Sequence, residues 1–142
     1  MIEIDCFDYC PEEAKAVREN VFINEQDFKT EFDAIDEKAS HFVAYLDGKA
    51  VGTCRIFEEE AHNGFVLGRL AVIKDARGHH IGKALMEAAE SFAAKNNAPE
   101  MNLHAQCEGT GFYEALGYES YGPIEYNEHC PHIWMKKSLR GA

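Results

Sequence analysis

This 142-residue chain lacks most of what would mark a scaffold held by disulfides or structural metal. It has five cysteines, an odd count, and no C-x-x-C. Neither a paired disulfide framework nor a zinc ribbon is indicated, and reduced, mostly buried thiols are the plainer expectation. No run nears the roughly 18 apolar residues of a membrane helix. The N-terminus, MIEIDCFDYC, has acids where a signal peptide has bases, and no apolar core. A soluble, cytoplasmic protein is therefore expected. Repeats, low-complexity tracts and linkers are also absent, which predicts a single domain over residues 1–142. Bases are scarce, 14 Lys+Arg against 25 Asp+Glu for a net charge of −11. That balance argues against nucleic-acid partners, as the lack of an apolar span argues against membrane.

The charge is unevenly spread. Residues 1–62 carry six bases and sixteen acids, whereas residues 63–142 carry eight and nine. Within 69–83 the sign reverses, with Arg69, Lys74, Arg77 and Lys83 against Asp75. One local basic patch thus sits in an acidic chain.

Hydrophobic periodicity organises the rest. IEIDCF alternates like a short strand. In DYCPEEAKAVRENVF, Pro11 suits a first helical turn, Glu12 and Glu13 suit its positive end, and Ala14, Val17, Val21 and Phe22 share a face. Residues 24–40 are acidic and weakly periodic, a loop or short helical turns that could cover a site. HFVAYLDGKAVGTCRIF is two β-rich runs around Asp47-Gly48, a hairpin signal. GFVLGRLAVI is a nearly continuous apolar run, expected of a central strand. Ile81, Ala84, Leu85, Ala88, Ala89, Phe92 and Ala93 then follow helical spacing until Asn96, Asn97 and Pro99 end it. MNLHAQC alternates, with Asn102, His104 and Gln106 on one polar face, as at the border of a cleft. GTGFYEALGY reads as a short helix ended by Gly117, and HIWMKKSL as a last strand. The order β-α-β-β-β-α-β-α-β is a mixed α/β fold, a central sheet flanked by helices.

The stretch Arg77-Gly78-His79-His80-Ile81-Gly82-Lys83-Ala84 stands at the junction of strand and helix. A helix start offers free N–H groups and a positive dipole end, a ready site for phosphate. Arg77 and Lys83 add charge, and Gly78 and Gly82 allow close approach. Neither a Walker loop nor a dinucleotide fingerprint is met. An unliganded loop–helix junction stays equally open on these grounds.

The segment LGRLAVIKDARGHHIGKALMEAAESFA resembles the coenzyme-binding core of the GCN5-related N-acetyltransferases. Their motif [RQ]-x-x-G-x-[GA] is met by Arg77-Gly78-His79-His80-Ile81-Gly82 except at His80, where glycine is usual. GFYEALGY resembles the family's second signature, and VRENVFINEQ, HFVAY, LHAQ and PHIWMKK resemble the ElaA/YjcF-like subgroup. The resemblance implies the family's single-domain fold, acetyl-CoA as co-substrate and no metal. It implies direct transfer of acetyl to the amine of a small molecule, and it allows a homodimer. Leu70, Ala71 and Val72 would pair with the pantetheine arm. Arg77 through Ala84, His79 and His80 included, would wrap the pyrophosphate, with Phe112 among the coenzyme contacts.

On the same footing, Tyr113 is the candidate acid for the leaving thiolate, and a backbone N–H of strand 70–72 the oxyanion donor. Three residues compete as base. His132 begins the last strand, His104 lies on the polar face, and Glu25 ends the first helix. Glu25 and Gln106 are candidates for holding the acceptor. The acids Glu25, Glu31, Asp33 and Asp36 could attract a cationic one. His79, His80, His129, Cys130 and His132 lack a metal-binding frame. Two other readings remain open, a non-catalytic acyl-CoA-binding or partner-binding module and a protein or peptide N-acetyltransferase.

Overall fold

The computed structural model describes residues 2–29, 32–62 and 64–139. Seven strands form one sheet, in the order β1-β2-β3-β4-β5-β7-β6. The strands are β1 Ile2–Phe7, β2 Ser40–Leu46, β3 Lys49–Glu59, β4 Gly64–Val72, β5 Glu100–Gln106, β6 Glu119–Asn127 and β7 Cys130–Ser138. The helices are α1 Glu12–Arg18, α2 Ile81–Lys95 and α3 Thr110–Ala115. All neighbouring strands are antiparallel except β4 and β5. This is the expected mixed α/β sheet, with the run GFVLGRLAV as its fourth and central strand.

The hairpin between β2 and β3 turns at Asp47 and Gly48, with φ of 53° and 85°. Two successive left-handed residues match the right-handed strand twist. Pro11 stands one residue before α1, as its N-cap, and accepts the first helical N–H from Lys15 at 3.1 Å. Beyond Arg18 the helix widens into a π-helical segment, Glu19–Glu25. Its last turn closes by Gln26 N–H to Val21 C=O at 3.0 Å.

Alternation along the strands gives the sheet two buried faces. On one, Ile81, Leu85, Met86, Ala89 and Ala93 of α2 pack with Phe42, Ala44, Cys54, Ile56, Leu67, Met101 and Leu103. On the other, Val17, Val21, Phe22 and Phe28 pack against Ala71, and Phe57 packs with Val66 and Trp134.

Two readings of the sequence are corrected. Strand β6 is an addition, and Gly122-Pro123 explains why it escapes the pattern. A register shift between Tyr121 and Glu125 carries the proline outside the ladder. An edge strand tolerates a residue without N–H there. Its largely exposed residues also give no apolar alternation.

The second concerns the acids of residues 24–40 that were offered to a cationic acceptor; the short helical turn expected there is present, Ala34–Glu37. Two of these acids turn inward rather than into solvent. Asp36 takes both Nη atoms of buried Arg18, at 2.7 and 3.1 Å. Asp33 takes both Nη atoms of buried Arg55, at 2.6 and 3.1 Å. Arg55 Nη1 also reaches Asp36, at 2.8 Å. His41 Nε2 donates to the Asp36 carbonyl at 2.9 Å. Burial opposes ionisation of Asp36, but the two guanidiniums outweigh it and bring its pKa down to about 2. Glu31 lies outside the described residues.

Arg18 is 1 % exposed, so removing the Asp36 carboxylate takes a charged, bidentate partner from a buried cation. Asp36→Asn is expected to cost about 3 kcal/mol in urea unfolding. Because Asp36 has a lower pKa folded than unfolded, its contribution is complete above about pH 4 and is lost as pH falls towards 2. Acid unfolding of wild type and Asp36→Asn should therefore converge over that interval.

Candidate functional site: two clefts that meet where the sheet parts

Strands β4 and β5 are paired only from Gly64–Leu67 to Glu100–Leu103. Past that point β5 continues against β7 alone, while β4 continues against β3 alone. The parting coincides with a bulge in β4, where Arg55 faces Gly68 and Thr53 faces Ala71. Arg69 sits in the bulge with φ of 53°. A bulky residue in the left-handed region is strained, and such strain gathers at functional sites.

A cleft of about 630 Å³ opens on one side of the parting. Leu70, Ala71, Val72, Arg77, Gly78, His80, Ile81, Gly82, Lys83 and Phe112 all line it. Of the residues predicted for coenzyme, His79 and Ala84 do not. The backbone there leaves the first N–H groups of α2 open. Ala84 N–H is the first of α2 to close on the helix, to His80 C=O at 3.1 Å. The N–H groups of Ile81, Gly82 and Lys83 precede it, and the N-cap His80 supplies no side-chain cap. A Cβ at Gly82 would lie 3.2 Å from Phe112 Cζ, a tight contact that the exposed ring would have to yield to.

His80 has φ of 61°, the left-handed conformation that glycine adopts freely. The loop thus has the turn that the usual glycine would make, at the cost of backbone strain. Arg77 turns away from the loop. Its Nε donates to Val72 C=O at 3.0 Å, and its Nη atoms grip Glu25 at 2.8 and 2.6 Å. Glu25 lines neither cleft, and this pairing holds its pKa low.

The second cleft, about 820 Å³, opens on the far side. It brings together Tyr113, His132, His104 and Gln106. Gln26, Leu70, Arg77 and Phe112 line both clefts, so the two meet there. Gln106 Nε2 donates to Gln26 Oε1 at 2.8 Å, tying β5 to the end of the π-helical segment.

His132 is 7 % exposed, and its Nδ1 lies 3.0 Å from the Cys130 carbonyl. A carbonyl only accepts, so Nδ1 carries the proton and Nε2 is the basic atom. Burial pushes the His132 pKa down, the Cys130 carbonyl opposes this, and the charge of Arg69 lowers it further. His104 is also pushed down, by burial and by His132, against the pull of Glu125. Its Nε2 lies 3.2 Å from Glu125 Oε1, near enough for an ion pair, yet off the direction a hydrogen bond needs. The Tyr113 ring is half-buried, but its hydroxyl is enclosed. That burial, with Cys54 behind it, raises the phenol well above its ordinary value, so it stays protonated.

Lining residues that were not among the sequence candidates include Gln26, Arg55, Arg69 and Trp134. The alternation of HIWMKK places Trp134 on the face of His132, and that signal was available. The sole tryptophan is stacked between His62 and His104, with centroids 4.0 and 4.8 Å away. Nothing in the local sequence marks Arg55 or Gln26. Among the described residues, Cys10, Asp36 and His41 could group around a metal. Arg18 already occupies that place, 3.4 Å from Cys10 Sγ and 2.7 Å from Asp36. No described helix is long and apolar enough to cross a membrane.

Comparison with known proteins gives a consistent picture. A family model described as an acetyltransferase (GNAT) domain matches residues 7–139. The chain is 31% identical to YyaT of Bacillus subtilis (strain 168) over 134 residues, 89% of this chain and 88% of that protein. Its fold is similar to Escherichia coli ElaA, with a TM-score of 0.85 and 22% identity over 96% of this chain and 99% of the other. It is also similar to an aminoglycoside 6'-N-acetyltransferase solved with coenzyme A, with a TM-score of 0.77 and 18% identity over 99% and 98% of the two chains.

Replacing His80 by glycine removes the left-handed strain while raising the entropy of the unfolded chain. His80→Gly should stabilise the protein by roughly 0.5–1 kcal/mol in thermal unfolding. A β-branched His80→Val should destabilise it, because its side chain tolerates this conformation least.

Proposed function

The chain belongs to the GNAT acetyltransferases, and from that premise we propose that it moves acetyl from acetyl-CoA directly to the amine of a small molecule. The observation that carries this reading is the junction of the two clefts at Leu70, Gln26, Arg77 and Phe112. A thioester delivered through the first cleft would meet an amine held in the second. Alignment of that kind can supply much of the acceleration.

In the first cleft, the open edge of β4 at Leu70–Val72 would receive the pantetheine arm. The N–H groups at the start of α2 would receive the pyrophosphate. Arg77 must release Val72 C=O for the arm to pair there, since its Nε now holds that oxygen.

In the second cleft, His132 Nε2 would take a proton from the attacking amine. The amine nitrogen bonds to the thioester carbon, and the carbonyl oxygen gains negative charge. A backbone N–H of 70–72 would stabilise that charge. Collapse breaks the carbon–sulfur bond, and Tyr113 would give its proton to the leaving thiolate. The products are an amide and coenzyme A with a free thiol. His104 is the alternative base. His132 is preferred because it is the more buried and its tautomer is set by Cys130.

Free thiol release measured over an amine panel tests the reaction. Tyr113→Phe should slow turnover by about a hundredfold while leaving coenzyme affinity intact. Equal turnover would remove Tyr113 from the mechanism. In wild type, kcat/KM should rise with pH as His132 loses its proton, with a midpoint below the ordinary histidine value of about 6.5. The His132→Ala profile should lose that limb, and an unaltered one would transfer the role to His104 or water.

A further inference from the structure

Three arginines line the acceptor cleft of an otherwise acidic protein. Among the described residues, Arg55, Arg69 and Arg77 line it against a single acid, Glu108. The acids that composition offered for a cationic acceptor are paired with these same arginines. Asp33 and Asp36 stand behind Arg55, and Glu25 is held by Arg77.

Arg69 is central to this arrangement. The β4 bulge holds it in a left-handed conformation, and its side chain lines the acceptor cleft. Arg69 shares Asp33 with Arg55, at 3.3 Å from its Nη2. Its charge is also felt at His132, which it discourages from protonation. A cation so near the base would repel a bare ammonium group or a polyamine. It would attract an acceptor with a negative group close to its amine.

The wall behind Arg69 has a donor to spare. Arg55 is 3 % exposed, and its Nε has no hydrogen-bond partner among the described residues. That atom lies beside Gly68, 3.8 Å from where a Cβ would stand, and Gly68 lines the same cleft. Unspent N–H dipoles in a low-dielectric wall favour an anion in front of them. Phe28, Phe57 and Trp134 line the same cleft, an apolar surface for the body of the acceptor.

We propose, resting on the N-acetyltransferase reading above, that the acceptor is an amine bearing a carboxylate, an amino acid with an apolar or aromatic side chain. Arg69, backed by Arg55, holds the carboxylate and so orients the neighbouring amine towards His132. Arg69 is a specificity-determining residue on this view, and the product is an N-acetylated acid that keeps its negative charge.

Matched acceptor pairs test this in the thiol-release assay with acetyl-CoA: L-phenylalanine against phenethylamine, and L-tryptophan against tryptamine. Spermidine serves as the polycation and O-phosphoethanolamine as a phosphate-bearing amine. Each carboxylate member should exceed its decarboxylated partner at least tenfold in kcat/KM. Arg69→Gln should erase that preference, chiefly through KM, and Arg69→Lys should restore part of it. Equal or better use of phenethylamine, tryptamine or spermidine overturns the proposal, as does a preference that survives Arg69→Gln. Preference for O-phosphoethanolamine over the amino acids overturns the carboxylate assignment.

A second readout needs no turnover. Trp134, the sole tryptophan, should be quenched by 3-phenylpropanoate in the coenzyme A complex at least tenfold more tightly than by 3-phenylpropanamide. Equal affinities overturn the proposal. If no amine releases thiol although coenzyme binds, the acetyltransferase reading fails, and this titration still decides whether the corner holds a carboxylate.

Discussion

Parallel pairing between β4 and β5 is the constraint on which the rest of this molecule depends. Parallel neighbours need a crossover, and here α2 supplies it. The chain leaves β4 at Val72, passes through a 3₁₀ turn at Lys74–Ala76 and enters the helix at Ile81. The start of α2 is thereby fixed beside the last residues of that strand. Because the pairing covers only Gly64–Leu67, the two strand ends stand apart beyond it. One short ladder thus creates a backbone edge, a set of open N–H groups and a gap between them.

The gap is kept open from both sides. On β4 the bulge at Arg69 carries the chain away from β5. On β5 the ladder with β7 sets His132 opposite Gln106 and Trp134 opposite His104. Residues far apart in sequence then face the same space. Phe112 and Tyr113 of α3 close it from the end of β5, with their rings edge to face at 5.1 Å.

Charge is organised by burial rather than by composition. In a chain with net charge −11, several acids are consumed by buried or bridging arginines, three of which line the second cleft. Arg18 and Arg55 could not be buried without Asp33 and Asp36. The 3₁₀ turn that carries these two aspartates is ordered by the same contacts, with a capping box between Asp33 and Asp36. Structural ion pairing and acceptor electrostatics are consequently two faces of one network.

Much of this was legible from local pattern. Alternation marked β1 and β5, helical spacing marked α1 and α2, and β-rich or continuous apolar runs marked β2 to β4, which are buried on both faces. Asp47-Gly48 marked its hairpin for a purely local reason. The junction at 77–84 was legible because the hydrophobic period changes where α2 begins. Strand β6 escaped, since an exposed, proline-bulged edge leaves no periodic trace. What only the tertiary structure decided is how distant groups combine. His80 could be named as a departure from the usual glycine, but its left-handed backbone is a property of the folded turn. Asp33, Asp36 and Glu25 looked like free surface acids until long-range contacts supplied their arginine partners. Hydrophobic patterning is written residue by residue, whereas electrostatic pairing depends on approach across tens of residues, and the fold alone sets that approach.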